Sequence, residues 1–293
     1  PLILIFLKTP LIKILKKNFK YHRSINSKNK FISLLNSIFQ KEYFSKIKSP
    51  KKLRELACTT VADGEGSQWA KYYFDKHFKT LGELKARKVG LLTLDESTKI
   101  YSKIINYIVT NNLENSQDLY IIQLGSSSGR DLEFFRNQFP SLNYISTDVN
   151  DEILNFQKTM YSYNNFSYYK CFAEDINQCI EHYNLENKSI IIFSVSSLQY
   201  VIPFYLKDFF KKINNFPNIN IFISEPVSIR FIKANNECSE YRGSASFSHN
   251  YKIFSKKLNI LEYDVIEPYS KNDKFYGDTG HYYLHASSIK NKD

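Results

Sequence analysis

The hydrophobic positions change period part-way along this chain. Over residues 28–48 they recur at Phe31, Leu34, Leu35, Ile38 and Phe39, the one-sided stripe of an amphipathic helix, and Ser49-Pro50 ends it. Residues 59–66 are polar and glycine-bearing and read as a loop; 67–78 (SQWAKYYFDKHF) read as a helix. Asp95 and Ser97 offer caps for another helix reaching residue 111. Short apolar runs then alternate with helical stripes. The pattern predicts strands at 120–124, 142–146, 166–172, 189–195 and 219–224, with helices at 130–137, 152–160, 175–183 and 203–213 between and after them. That alternation argues for a mostly parallel sheet with helices on both faces. SIIIFSV and INIFIS are nearly all apolar, as central buried strands are. Residues 225–248 hold no clean period. A short helix (250–258) and two strands (260–266 and 281–286) joined by the polar turn SKNDKFYGDTG close the pattern as a hairpin.

The turn after the first strand carries the chemistry. YIIQLGSSSGRDLEFF runs an apolar strand into Gly125, three serines and Gly129, then into a helix. The next strand ends just before Asp148. This combination suits a nucleoside: glycines let backbone approach closely, and the acid accepts hydrogen bonds from both ribose hydroxyls. The dinucleotide pattern G-x-G-x-x-G would need glycines where Ser127 and Arg130 stand. The spacing Gly125-x-Ser127-x-Gly129 instead resembles motif I of class I S-adenosylmethionine-dependent methyltransferases, acid-x-G-x-G-x-G. Gln123 replaces the leading acid, and Ser127 the middle glycine. Glutamine can hydrogen-bond the methionine end of the cofactor but brings no charge to its ammonium. Serine is small, but it disfavours positive φ.

The resemblance covers about residues 97–288 and implies a seven-stranded, Rossmann-like sheet. In it the last strand runs antiparallel between the fifth and sixth, and a helical extension (1–95) precedes a methyltransferase domain (96–293). It implies S-adenosylmethionine as cofactor, held by Gln123, Gly125, Ser126, Ser127, Gly129, Asp148, Asp175 and Ser194. The backbone N–H groups of the 125–129 turn suit the cofactor's carboxylate. In the family an acid after the third strand bonds the adenine amino group; Glu174 and Asp175 stand there, and Asp175 equally suits an N-cap. The loop SVSSLQYV (194–201) lies where the family keeps the transferred methyl. It resembles small-molecule and sugar methyltransferases and lacks the N/D-P-P-Y/F motif of amino-methylating enzymes, which points to oxygen as acceptor. Tyr200, Arg242 and Tyr251 are the expected substrate contacts, and His249, at the expected substrate mouth, the expected base. A histidine bonded to its local backbone fits that position too.

Charge and cysteines narrow the reading. The net charge of +11 sits in one place: residues 1–53 hold 13 Lys and Arg against Glu42 alone, leaving 27 basic and 28 acidic residues beyond. A near-neutral catalytic region argues against nucleic acid as partner. The broken apolar run PLILIFLKTPLIKILKKNFK is too interrupted to span a bilayer and suits an interfacial helix on an anionic membrane, or a helix packed on the domain. The chain opens on proline, consistent with a removed initiator methionine or with a piece of a longer protein. Four cysteines (58, 171, 179 and 238) form no metal spacing and read as reduced thiols of a cytoplasmic protein. His281 and His285 have a metal spacing only on a helix; on a strand they lie about 13 Å apart, so no metal is expected. The expectation is methyl transfer to a free or lipid-linked sugar hydroxyl in a bacterial surface-glycan pathway, at the inner face of the membrane. The alternatives are an RNA methyltransferase with a basic N-terminal arm and a catalytically inactive assembly partner. The oligomeric state stays open.

Overall fold

Odd and even positions of the central strands face opposite sides, and both sides are covered. The computed structural model describes residues 95–234, 239–243, 246–266 and 279–289. The basic segment, the 28–48 and 67–78 helices and the 59–66 loop lie outside the described residues, as do Cys58 and Cys238.

The chain runs α1 (Asp95–Thr110), β1 (Leu119–Leu124), α2 (Arg130–Gln138), β2 (Asn143–Asp148), α3 (Asp151–Met160), β3 (Phe166–Lys170) and α4 (Ile176–His182). It continues through β4 (Ser189–Val195), α5 (Pro203–Ile213), β5 (Ile219–Ser228), α6 (Ile229–Ala234), β6 (Ser239–Gly243), β7 (Ser246–His249), α7 (Tyr251–Phe254), β8 (Asn259–Ile266) and β9 (Thr279–Ser287). Seven strands form one sheet in the order β3-β2-β1-β4-β5-β9-β8. The first five are parallel, and β9 runs antiparallel between β5 and β8. This is the order and polarity that the resemblance implies. β8 and β9 pair as neighbours of opposite direction, the hairpin that the polar run between them predicted.

Ile121, Ile191, Phe193, Phe222 and Tyr283 bury one face of the sheet under Ile100, Ile104 and Ile108 of α1 and Leu132 and Phe135 of α2. Ile122, Ile192, Ile221, Ile223 and Leu284 bury the other under α4 and α5 through Ile176, Ile180, Leu206, Phe209 and Phe210. Each such side chain contributes about 1.5–3 kcal/mol when fully buried. No helix among the described residues is long and apolar enough to cross a membrane.

Three expectations change. β5 continues to Ser228, so Glu225 and Pro226, the first residues of the aperiodic stretch, lie inside the strand. Pro226 is tolerated because β4 stops pairing at Ser224, leaving one side of the strand without a ladder to feed. The aperiodic stretch holds α6 and the β6–β7 hairpin, a separate two-stranded sheet. The helix expected over 250–258 is a single turn, Tyr251–Phe254.

Candidate functional site

The carboxyl ends of β1, β2 and β4 converge, and ligands of open parallel sheets bind there. In the loop after β1, Gly125 (φ +59°), Ser127 (+50°) and Gly129 (+75°) take left-handed backbone, as Ser196 (+56°) does after β4. Ser127 therefore adopts the conformation that serine disfavours. A Cβ on Gly125 would sit 2.4 Å from the Ser197 hydroxyl, and one on Gly129 would sit 2.9 Å from Gln157 and Tyr161. The space above both glycines is thus filled by this chain's own side chains. Their small size serves loop packing here, a correction to the expectation that it clears room for a ligand.

Beneath the loop lies a buried polar cluster. The Ser146 hydroxyl meets Ser126 Oγ at 2.6 Å and bonds Gln157 Oε1. Gln157 Nε2 donates to Ser126 Oγ at 2.9 Å and to the Ser127 carbonyl at 2.6 Å. Ser126 is therefore a buried strut, whereas Ser127 is exposed at the tip. The N–H groups of Ser126 and Gly129 serve Thr147 and Ser126 carbonyls, and that of Ser127 serves Asp148. Three N–H groups of the turn are thus already engaged within the chain.

Asp148 closes β2 and is 7% exposed. Its Oδ2 accepts the Ser127 N–H and its Oδ1 the Asn150 N–H, each at 3.1 Å. Burial pushes its carboxyl up to about 6, against these stabilising N–H groups. The acid expected on a ribose thus also ties the first loop to the second. Both oxygens keep acceptor capacity.

Gln123 is 2% exposed. Its Nε2 donates to Asp131 Oδ2 at 2.7 Å, and its Oε1 is buried with no partner. Asp175 forms no side-chain cap on α4; it pairs with Lys212 of α5 at 3.2 Å.

The loop after β4 is built on a residue that sequence reasoning passed over. Glu225 is 0% exposed. Its Oε1 accepts the Ser194 hydroxyl (2.5 Å) and the N–H groups of Ser197 (3.0 Å) and Leu198 (2.9 Å); its Oε2 accepts the Gln199 N–H (3.1 Å). Burial raises its carboxyl to about 7, opposed by these four bonds. Ser194, expected on the cofactor, is fully buried with its hydroxyl on Glu225. Ser197 joins the two loops, donating its hydroxyl to the Gly125 carbonyl at 3.1 Å. Glu225 and Gln157 carry no sequence signal, because their partners lie on distant segments.

The substrate side is corrected further. His249 is 0% exposed, with Nδ1 at 2.7 Å from Ser239 Oγ and Nε2 at 3.0 Å from the Val201 carbonyl. Phe247 stacks on the ring, and Tyr251 and Phe254 meet it edge-on. Both nitrogens are engaged and solvent is excluded, so the imidazole pins the hairpin to the loop after β4 and is not placed as a base. Tyr251 is fully buried between His249 and Tyr282, not on a substrate surface. Tyr200 ends the helical turn Leu198–Tyr200, partly buried at the site edge. The backbone of Arg242 lies in β6, and its side chain is outside the described residues.

His285 stacks on Phe222 and lies 3.2 Å from Asn220 Oδ1, and burial lowers its imidazole to about 4. No metal-holding cluster exists among the described residues. Cys171 and Cys179 are free, and burial raises the Cys171 thiol to about 12. A shallow depression of about 500 Å³, lined by Gln117, Arg136, Ser141 and Tyr163, opens at the opposite, amino-terminal edge of the strands.

No protein-family model matches the sequence, and no curated protein matches it. Solved structures do. A Clostridium acetobutylicum S-adenosylmethionine-dependent methyltransferase aligns at 17% identity over 73% of this chain and 98% of that one, TM-score 0.45. An Anabaena variabilis SAM-dependent methyltransferase aligns at 11% identity over 63% and 83%, TM-score 0.44. A Galdieria sulphuraria protein, provisionally described as a sarcosine dimethylglycine methyltransferase, aligns at 11% identity over 66% and 87%, TM-score 0.47. Likeness this distant leaves function to this chain's own residues.

Proposed function

We propose that this chain is a methyltransferase that takes S-adenosylmethionine at the carboxyl edge of β1 and β2 and methylates an oxygen of a small polar acceptor, a sugar hydroxyl. The observation that carries the reading is Asp148 at the tip of β2. It lies against the left-handed Gly125–Gly129 turn, in a sheet whose last strand is reversed between β5 and β8. The residues fit the cofactor: a carboxylate with acceptor capacity for ribose hydroxyls, helix-start N–H groups for a carboxylate, and a buried orphan acceptor, Gln123 Oε1, on the amino-acid side.

When bound, the cofactor supplies an electrophilic sulfonium methyl. The chain's own part is positioning. Asp148 accepts the ribose hydroxyls, and the loop after β4 walls the acceptor side. Glu225 holds that wall by fixing three consecutive N–H groups, and Ser197 fixes the wall to the cofactor turn. Tyr200 stands at its rim as an acceptor contact, with Arg242 of β6 a second candidate.

Support for a sugar is the near-neutral balance beyond residue 53 and the absence of an amino-methylating motif after β4. The basic segment, proposed as a peripheral contact with anionic membrane, would bring a lipid-linked acceptor close. The test is incubation with methyl-labelled cofactor and panels of free sugars, lipid-linked sugars and RNA. Label in a sugar methyl ether supports the reading, and label in RNA alone overturns the acceptor class. A second reading, a methyltransferase-like partner without activity, draws on the occupied N–H groups of the turn and on the buried His249. It predicts no label in any acceptor.

A further inference from the structure

Asp131, on the first turn of α2, takes its side-chain hydrogen bond among the described residues from the neutral amide of Gln123. Gln123 Nε2 reaches it at 2.7 Å, and the buried Tyr101 of α1 lies near it, its phenol pushed well up by burial and by this carboxylate. No ion pair among the described residues involves Asp131. Beside it, Gln123 Oε1 is buried with nothing to accept from. The amide cannot be reversed to cure this, since the carbonyl would then face the carboxylate. Two acceptors, one charged and one orphaned, therefore lie together where β1 ends and α2 begins, short of a cation that carries several N–H donors. An ammonium has three.

We infer that Asp131 replaces the acid missing at Gln123. It meets the ammonium of the ligand's amino-acid tail, with Gln123 Oε1 as second acceptor and Gln123 Nε2 holding the carboxylate in place. The inference rests on the nucleoside site proposed above and names its charge-reading residue. The negative charge has moved from the strand to the helix, bridged by one amide. Asp148, two strand tips away from β4 on the far side of β1, is left to the sugar end.

The test is titration calorimetry of the whole chain with S-adenosylhomocysteine and with 5′-methylthioadenosine, the same nucleoside thioether without the amino-acid tail. Asp131→Asn is expected to weaken S-adenosylhomocysteine by about 10-fold or more, the scale of a lost charge-assisted bond, with methylthioadenosine affinity unchanged. Retained methylthioadenosine binding also shows that the variant is folded, and Asp131→Ser is the second variant should Asn not fold. Unchanged S-adenosylhomocysteine affinity, or an equal loss for both ligands in a variant that melts like wild type, overturns the inference. Wild type binding neither ligand overturns the nucleoside reading itself, and this inference with it.

Discussion

Glu225 Oε1 accepts the Ser194 hydroxyl at 2.5 Å across 31 residues of sequence, joining β5 to the end of β4 inside the core. The same carboxylate collects three backbone N–H groups from the following loop. Removing it leaves those donors buried and unpaired. Glu225→Ala should cost about 3 kcal/mol in a denaturant titration, well above the usual single-site loss. A cost near zero would mean the loop holds its shape without the carboxylate.

Stability should depend on pH through two buried acids. Folding raises Glu225 from 4.5 to about 7 and Asp148 from 3.8 to about 6. The folded chain therefore holds these protons more tightly than the unfolded one. Their contribution is fully present below about pH 4 and is lost as pH rises through about 7, at most about 3 kcal/mol for each group. Thermal melts across this range should give a slope that flattens in Glu225→Gln. An identical slope in that variant contradicts the assignment.

Gly125 is needed for two separable reasons, its φ of +59° and its contact with Ser197. Gly125→Ala should destabilise by about 2 kcal/mol or more from strain and overlap combined. Adding Ser197→Gly should return the overlap part but not the backbone part, giving a non-additive cycle. Additivity would show that the two loops do not touch.

His249 is predicted to act in folding. His249→Ala should lower the unfolding free energy by about 2–4 kcal/mol, from a cavity and two lost partners. Nucleoside affinity of the folded fraction should stay unchanged. Full stability with lost methyl transfer would restore it as the base.

The strand pattern was legible because apolar runs such as 189–195 can only be buried on both sides, and the closing hairpin because the run SKNDKFYGDTG is polar and carries no helical stripe. The left-handed turn was legible at Gly125 and Gly129, where a backbone demand leaves a residue signature. The site was not legible at Ser126, Ser194 or His249. Each looked like a ligand residue by position, yet each is engaged by a group far away in sequence: Ser126 by Gln157, Ser194 by Glu225, and His249 by Val201. Local pattern reports backbone conformation and face. It does not report which distant polar group arrives to consume a side chain's hydrogen bonds.

The central claim is that Asp148 and the turn beside it hold a nucleoside. Calorimetric titration of wild type, Asp148→Asn and Asp148→Ala with S-adenosylhomocysteine tests it most directly, with melts of the unliganded variants to account for the lost tie to Ser127. The account predicts saturable binding by wild type that weakens about 10-fold or more in both variants. Equal affinity in all three, or no binding by wild type, would contradict it.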